Sequence, residues 1–188
     1  LHRSMQIALS HVLFSENKYR YLFITTHSPY VLAEMDQVNL VRIYNADKIV
    51  SRSVLYVVPE EFKEQRKMLN RGLTEAIFAD KVLLVEGPSE MVLFGKVLSE
   101  KNPFYEADGI YILSVGGFGF KPYQSILNAL KIYNVVKTDN DLRKPRNKET
   151  YSVLGFMRLN GLIGETILPE DPVNEKSVAA KRELYDKN

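Results

Sequence analysis

Residues Lys81–Glu90 read KVLLVEGPSE, and the run Val82-Leu83-Leu84-Val85 narrows the possible folds more than any other stretch. Four apolar residues without polar alternation mark a strand covered on both faces, as in parallel sheets flanked by helices. The run ends in a carboxylate, Glu86. Gly87-Pro88 then stops the strand and opens a helix, with a second carboxylate at Glu90. Ligands of open α/β sheets bind beyond the carboxyl ends of the strands. A second run, Val135-Val136-Lys137-Thr138, leads into Asp139-Asn140-Asp141. The expectation is a second buried strand that brings two more acids to the same edge.

Strands and helices alternate around these runs. The pattern predicts a strand at 82–86, a helix at about 89–100 and a strand at 110–115. A glycine-rich turn at 116–119, a helix at 121–131 and a strand at 133–138 follow, then an acidic loop and a helix from about 150. Such alternation implies βαβ units and a parallel sheet. Upstream the rhythm differs. Leu1, Met5, Ala8, Leu9, Val12 and Leu13 recur at helical spacing and predict a helix over about 1–17 with one buried face. Tyr21–Thr26 is β-rich, Ser28 is placed to cap a helix, and Pro29 to begin one that runs to about 35. Val38–Tyr44 and Ile49–Val58 read as hairpin strands about an Asn45–Lys48 turn. Pro59-Glu60-Glu61 opens a helix with Phe62, Leu69, Leu73, Ala76 and Ile77 on its apolar face. Its polar part, 60–72, reads as a link between two units. Pro169–Asn188 is charged and polar, at best a solvated helix.

Composition excludes several classes. The chain has 188 residues, 45% hydrophobic and 26% charged, as in ordinary soluble domains. Without cysteine there is no disulfide framework and no thiolate zinc site. Apolar runs of four to six residues are too short to cross a membrane, no signal peptide opens the chain, and a cytoplasmic location is expected. A net charge of +2 means that any basic surface is local. Leu1 already stands inside a helical pattern, so the chain reads as a piece of a longer protein.

The acids carry the most chemistry. Glu86 and Glu90 span a strand-to-helix turn, while Asp139 and Asp141 are two residues apart just past a strand. Converging carboxylates repel unless a cation neutralises them, and a few hard oxygens completed by water suit Mg²⁺ or Mn²⁺. Such a site activates water and stabilises a leaving oxygen in phosphoryl chemistry. Taken singly, an acid after a strand is more often a helix cap, and Asp-Asn-Asp is ordinary turn chemistry. A calcium loop of the EF-hand kind is excluded, because counting from Asp139 puts Arg143 at the fifth position and Lys144 where glycine is needed. Gly116-Gly117-Phe118-Gly119 permits close approach to a phosphate, or serves only as a tight turn. The cations of RKPRNK, namely Arg143, Lys144, Arg146 and Lys148, suit a phosphodiester or form a solvated basic loop.

VLLVEGPSE, SVGG and VVKTDNDLR, in this order and spacing, resemble the glutamate, glycine and DxD motifs of the Toprim domain. That fold is shared by topoisomerases, DnaG-type primases, RecR-type proteins and nucleases of the OLD (overcoming lysogenization defect) family. EGPSE and KTDND look most like the OLD family, and within it like the nuclease subunit of the Gabija anti-phage system. Upstream, LHRSMQIAL resembles the region after the Walker B and D-loop of an ABC-type ATPase, and FITTHSPYVL its switch-histidine strand. The likeness covers about residues 1–165 and implies an α/β architecture: the end of an ABC-type ATPase domain at 1–58, a linker helix at 59–80, and a Toprim domain at 81–188.

By that resemblance Glu86 is a metal ligand and a candidate general acid or base. Asp139 and Asp141 are the DxD ligands, Glu90 is an additional acid near a second metal, and His27 contacts the γ-phosphate of ATP. The resemblance implies a Mg²⁺- or Mn²⁺-dependent DNA endonuclease regulated by ATP, homo-oligomeric and, if of the Gabija type, working with a UvrD-like helicase. The chain holds no G-x-x-x-x-G-K-[ST] loop and no acidic Walker B strand. The further acidic cluster and lysine of OLD nucleases are expected beyond Asn188. Rival readings are a primase- or topoisomerase-like Toprim enzyme, a non-catalytic RecR-like DNA-binding or assembly module, and an SMC-like structural ATPase.

Overall fold

In a computed structural model, residues 2–15, 20–35, 39–45, 51–57, 71–116, 119–139, 141–146 and 149–174 are described. They form two compact units, Leu1–Val135 and Val136–Asn188, and each is taken by itself.

The first unit opens with α1 (Arg3–Ser15). The predicted helix is there, but its expected buried face is not. Met5, Ala8, Leu9 and Val12 are exposed, whereas Ser10 is buried and Gln6, Ile7 and Leu13 are half-buried. The spacing fixed the helix; its neighbours decided which side packs. Ser28 Oγ donates to Gln6 Oε1 and also caps α2 (Pro29–Ala33) by accepting from Val31 N at 3.3 Å. Pro29 stands in the first turn, where a missing N–H costs nothing.

The β-rich stretch Tyr21–Thr26 does not join a ladder. Strand propensity needs a partner edge, and among the described residues this segment pairs with none; Phe23 is 93% exposed. The hairpin does form. β1 (Asn39–Asn45) and β2 (Ser51–Val57) pair antiparallel, from Asn39 opposite Val57 to Asn45 opposite Ser51. The predicted turn lies mostly outside the described residues, as does the helix start at Pro59 with Phe62 and Leu69. Within the range of that prediction the described residues hold α3 (Arg71–Ala76), where Leu73, Ala76 and the following Ile77 are buried as the pattern requires.

The alternating part follows: β3 (Lys81–Val85), α4 (Pro88–Lys101), β4 (Ile110–Ser114), α5 (Lys121–Ala129) and β5 (Tyr133–Val136). The strands make a parallel sheet in the order β4-β3-β5, with Lys81 beside Ile110 and Val85 beside Ser114. Val82, Leu84 and Val85 are buried with Ile112, Leu113, Ile126, Leu127 and Leu130. Leu84, Leu127 and Leu130 are fully enclosed, each contributing about 1.5–3 kcal/mol of burial.

β5 corrects one expectation. Among the described residues it has one neighbour, β3, and it is not doubly buried: Tyr133 and Val135 are 66% and 46% exposed, alternating with half-buried Asn134 and Val136. A strand with one neighbour and one covered face keeps the two-residue period.

Two features hold the unit in register. The Gly109 carbonyl accepts from both Asp80 N and Lys81 N, at 2.9 and 3.0 Å, tying the entry of β3 to that of β4. Gly109 has φ +74°, and a Cβ there would stand 2.6 Å from Asp80 Oδ2, so glycine is required. Arg42, on β1, has a side chain only 12% exposed. Its guanidinium donates to the carbonyls of Ala79 at 3.1 Å and of Leu130 and Lys131 at 3.3 and 3.4 Å, with Asp80 at 3.6 Å. Burial lowers the pKa of Arg42, and the Asp80 carboxylate opposes that shift.

The second unit contains the two-stranded β6 (Leu142–Arg143) and β7 (Ser152–Val153), then α6 (Leu154–Ile163). Gly164 ends α6 in the left-handed region, its N–H on Asn160 O at 2.8 Å. Asn160, 4% exposed, folds the following chain back onto the helix. Its Oδ1 accepts from Ile167 N and Leu168 N, and its Nδ2 donates to Leu168 O and Glu170. Tyr151 and Val173 form a β-bridge, so the predicted solvated tail is packed at its start; 175–188 lie outside the described residues.

Replacing Arg42 tests the clamp. Arg42→Ala removes the donor to the Ala79, Leu130 and Lys131 carbonyls and is expected to lower unfolding stability by about 1–3 kcal/mol, read from urea transitions. A loss within experimental error would show that the contacts are dispensable.

Candidate functional site

Glu86 is the residue just beyond the central strand, and its main chain is fixed. Its carbonyl accepts from Gly116 N at 3.2 Å and Ser114 Oγ at 3.3 Å, while Val115 N donates to Val85 O at 2.9 Å. The parallel ladder thus runs one step past each strand and holds Glu86 against the glycine turn. Its side chain is half-buried. This gives Gly116 a specific use. Its amide is committed to Glu86 rather than to a phosphate, and Gly116 and Gly119 take φ of +59° and +81°. Gly117 and Phe118 lie outside the described residues.

Glu90 has a structural assignment of its own. Its Oε2 accepts from Gly87 N at 3.1 Å, the reach-back from the third helical position that caps α4. The bland reading of an acid after a strand therefore holds for Glu90 in this state of the protein.

Asp139 and Asp141 are in the second unit, each beside a cation. Lys137 Nζ donates to Asp139 Oδ1. Arg158, from α6, stands 3.9 Å from Asp141 Oδ2. The Asp141 carbonyl also accepts from Leu154 N at 2.8 Å, which ties the DxD segment to the first turn of α6. Asn140 lies outside the described residues. Of the basic loop, Arg143, Lys144 and Arg146 are exposed, and Lys144 Nζ stands 5.7 Å from the centre of the Tyr151 ring. Lys148 lies outside the described residues. His27 is exposed in the first unit, its ring 6.3 Å from that of Phe78.

Among the described residues no three His, Asp or Glu side chains are gathered tightly enough to cage an ion. The donor chemistry nevertheless fits a hard divalent cation: oxygens only, no cysteine, and two carboxylates in one short segment that already draw cations from their own chain. Glu86, Glu90, Asp139 and Asp141 were the acids that the sequence singled out. Sequence reading missed Lys137 and Arg158 as partners of the two aspartates, although Lys137 was visible two residues from Asp139.

A parallel strand ending in glutamate, a helix, a strand ending in a glycine turn, and a neighbouring strand leading into DxD define a Toprim domain. Residues 77–141 match the family described as overcoming lysogenization defect protein-like, TOPRIM domain. Over 171 residues, 90% of this chain, the sequence is 47% identical to Endonuclease GajA of Bacillus cereus (strain VD045), and it spans 30% of that protein's length. The likeness to the OLD-like TOPRIM domain is thus confined to residues 77–141, within the longer stretch that is similar to the GajA relative.

The capping assignment is testable. Glu90→Ala is expected to lower stability by about 0.5–1 kcal/mol while Glu90→Gln, which retains an acceptor, keeps most of it. Equal stability of the alanine variant and the wild type in urea unfolding would remove the cap from the account.

Proposed function

We propose that this chain is the Toprim portion of a metal-dependent DNA endonuclease acting in anti-phage defence. The observation that carries the reading is Glu86, pinned by its main chain at the end of the central strand within the segment that matches the OLD-like Toprim family. β5, the neighbour of β3 in the sheet, leads in sequence to Asp139 and Asp141.

In this reading Glu86, Asp139 and Asp141 supply carboxylate oxygens to Mg²⁺ or Mn²⁺. The bound ion lowers the pKa of water and stabilises charge on the leaving oxygen of a phosphodiester. Glu86 holds its oxygen in place because its backbone cannot drift from β4, and its carboxylate is suited to accept a proton from the attacking water. Glu90 joins a second cation only by leaving its cap on Gly87. Arg143, Lys144, Arg146 and Lys148 hold DNA phosphates beside the acids. His27 senses nucleotide on the ATPase side, so that ATP regulates cutting. A homo-oligomer, a UvrD-like helicase partner and a cytoplasmic location complete the proposal. No described helix is long and apolar enough to cross a membrane.

The test is cleavage of duplex DNA in Mg²⁺ or Mn²⁺ by a protein of the full length of the GajA relative, with the chain alone alongside. Glu86→Ala and Asp139→Ala are each expected to reduce the rate by about a hundredfold or more, from several kcal/mol of lost charge stabilisation. Undiminished cutting by both variants would remove the site.

A further inference from the structure

Two peptide planes flank the Cα of Glu86, and both are held. The Val85–Glu86 plane is fixed by Val115 N, which donates to Val85 O at 2.9 Å. The Glu86–Gly87 plane is gripped on both of its edges. Its oxygen accepts from Gly116 N at 3.2 Å and from Ser114 Oγ at 3.3 Å. Its N–H donates to Glu90 Oε2 at 3.1 Å. A peptide unit turns as one rigid plane, so holding both planes fixes φ and ψ of Glu86 and with them the direction of its Cα–Cβ bond.

Val115 N and Gly116 N are main-chain donors that any non-proline residue would supply. Ser114 Oγ and Glu90 Oε2 depend on residue type. Glu90 comes close because Gly87 lacks a side chain; a Cβ there would stand 3.3 Å from Glu90 Oε2. Ser114 is the last residue of β4 and is half-buried. Strand pairing does not need its hydroxyl, since Val115 N and Gly116 N already extend the ladder past Val85. What the hydroxyl adds is a second donor to a carbonyl with two lone pairs. A carbonyl with one donor can swing about that bond; with two it is held against rotation.

We infer that Ser114 is a positioning residue for Glu86: its hydroxyl acts together with Glu90, through the Glu86–Gly87 peptide, to set the direction in which the Glu86 carboxylate leaves the sheet. The inference rests on the reading of Glu86 as a cation ligand and adds a residue that acts on that carboxylate through its main chain. It differs from a purely structural hydroxyl in where the effect appears. A structural contact would loosen β3 along its length when removed. A positioning contact alters the Gly87 N–H, which bonds to Glu90 and not to Ser114, and the affinity of Glu86 for a cation.

The experiment uses a protein of the full length of the GajA relative as wild type, Ser114→Ala and Ser114→Thr. Hydrogen–deuterium exchange without metal, resolved to single amides by mass spectrometry, is followed by calorimetric titration of Mn²⁺. Thermal melts check that the variants fold. In Ser114→Ala the Gly87 amide is expected to exchange about three- to tenfold faster, the scale of one hydrogen bond. The amides of Asp80 and Lys81, bonded to Gly109 O at the other end of β3, keep their wild-type rates. Mn²⁺ binds Ser114→Ala about three- to tenfold more weakly on the same scale. Ser114→Thr, which keeps the hydroxyl, stays within about twofold of wild type in both measurements. Unchanged Gly87 exchange in Ser114→Ala overturns the inference, as does equal acceleration at Asp80 and Lys81. If Mn²⁺ does not bind the wild type, the proposed cation site falls and the positioning role with it; equal binding to wild type and Ser114→Ala overturns the positioning role alone.

Discussion

The burial of β3 between β4 and β5 is the constraint on which the rest depends. Val82, Leu84 and Val85 have almost no solvent access, so the strand can neither slide nor turn without exposing its whole apolar set. That rigidity passes to Glu86 through two hydrogen bonds of main-chain type, Val115 N to Val85 O and Gly116 N to Glu86 O. At the other end of the strand, the Gly109 carbonyl and the Arg42 clamp fix where it begins. The sheet thereby fixes the main chain from which the Glu86 carboxylate projects.

The second unit solves a different problem. Asp139 and Asp141 sit on a short segment between brief strands, where no buried ladder holds them. Their charge is balanced locally by Lys137 and Arg158, and their backbone is anchored through Leu154. Exposed ion pairs contribute little to folding, so these cations matter chiefly for the electrostatics of the acids. Glu86 is thus anchored by the sheet through its main chain, while the two aspartates lie beside cations of their own unit.

How much of this was legible in the sequence depended on whether a signal was local. Val82–Val85, the glycines before α4 and after β4, and the Ser28-Pro29 start of α2 declared themselves, because each element is dictated by its own few residues. The hairpin was legible for the same reason. Expectations failed where the outcome rested on a neighbour. Met5, Leu9 and Val12 predicted a helix correctly but not the face it packs, and, among the described residues, Tyr21–Thr26 pairs with no strand and the strand of Val135 has a single neighbour. Arg42, Asn160 and Arg158 act at sequence separations no periodicity reveals. Glu90 was legible as an acid after a strand, yet only its contact with Gly87 N distinguished a cap from a free ligand.

The proposed function requires Glu86, Asp139 and Asp141 to share one divalent cation. The most direct measurement is a crystal structure of the Mn²⁺-loaded protein with anomalous scattering recorded near the manganese edge. The account predicts an anomalous peak within about 2.0–2.3 Å of oxygens from Glu86 and at least one of the two aspartates. A peak bound by other residues, or Glu86 and the aspartates on separate surfaces with no shared ion, would contradict it.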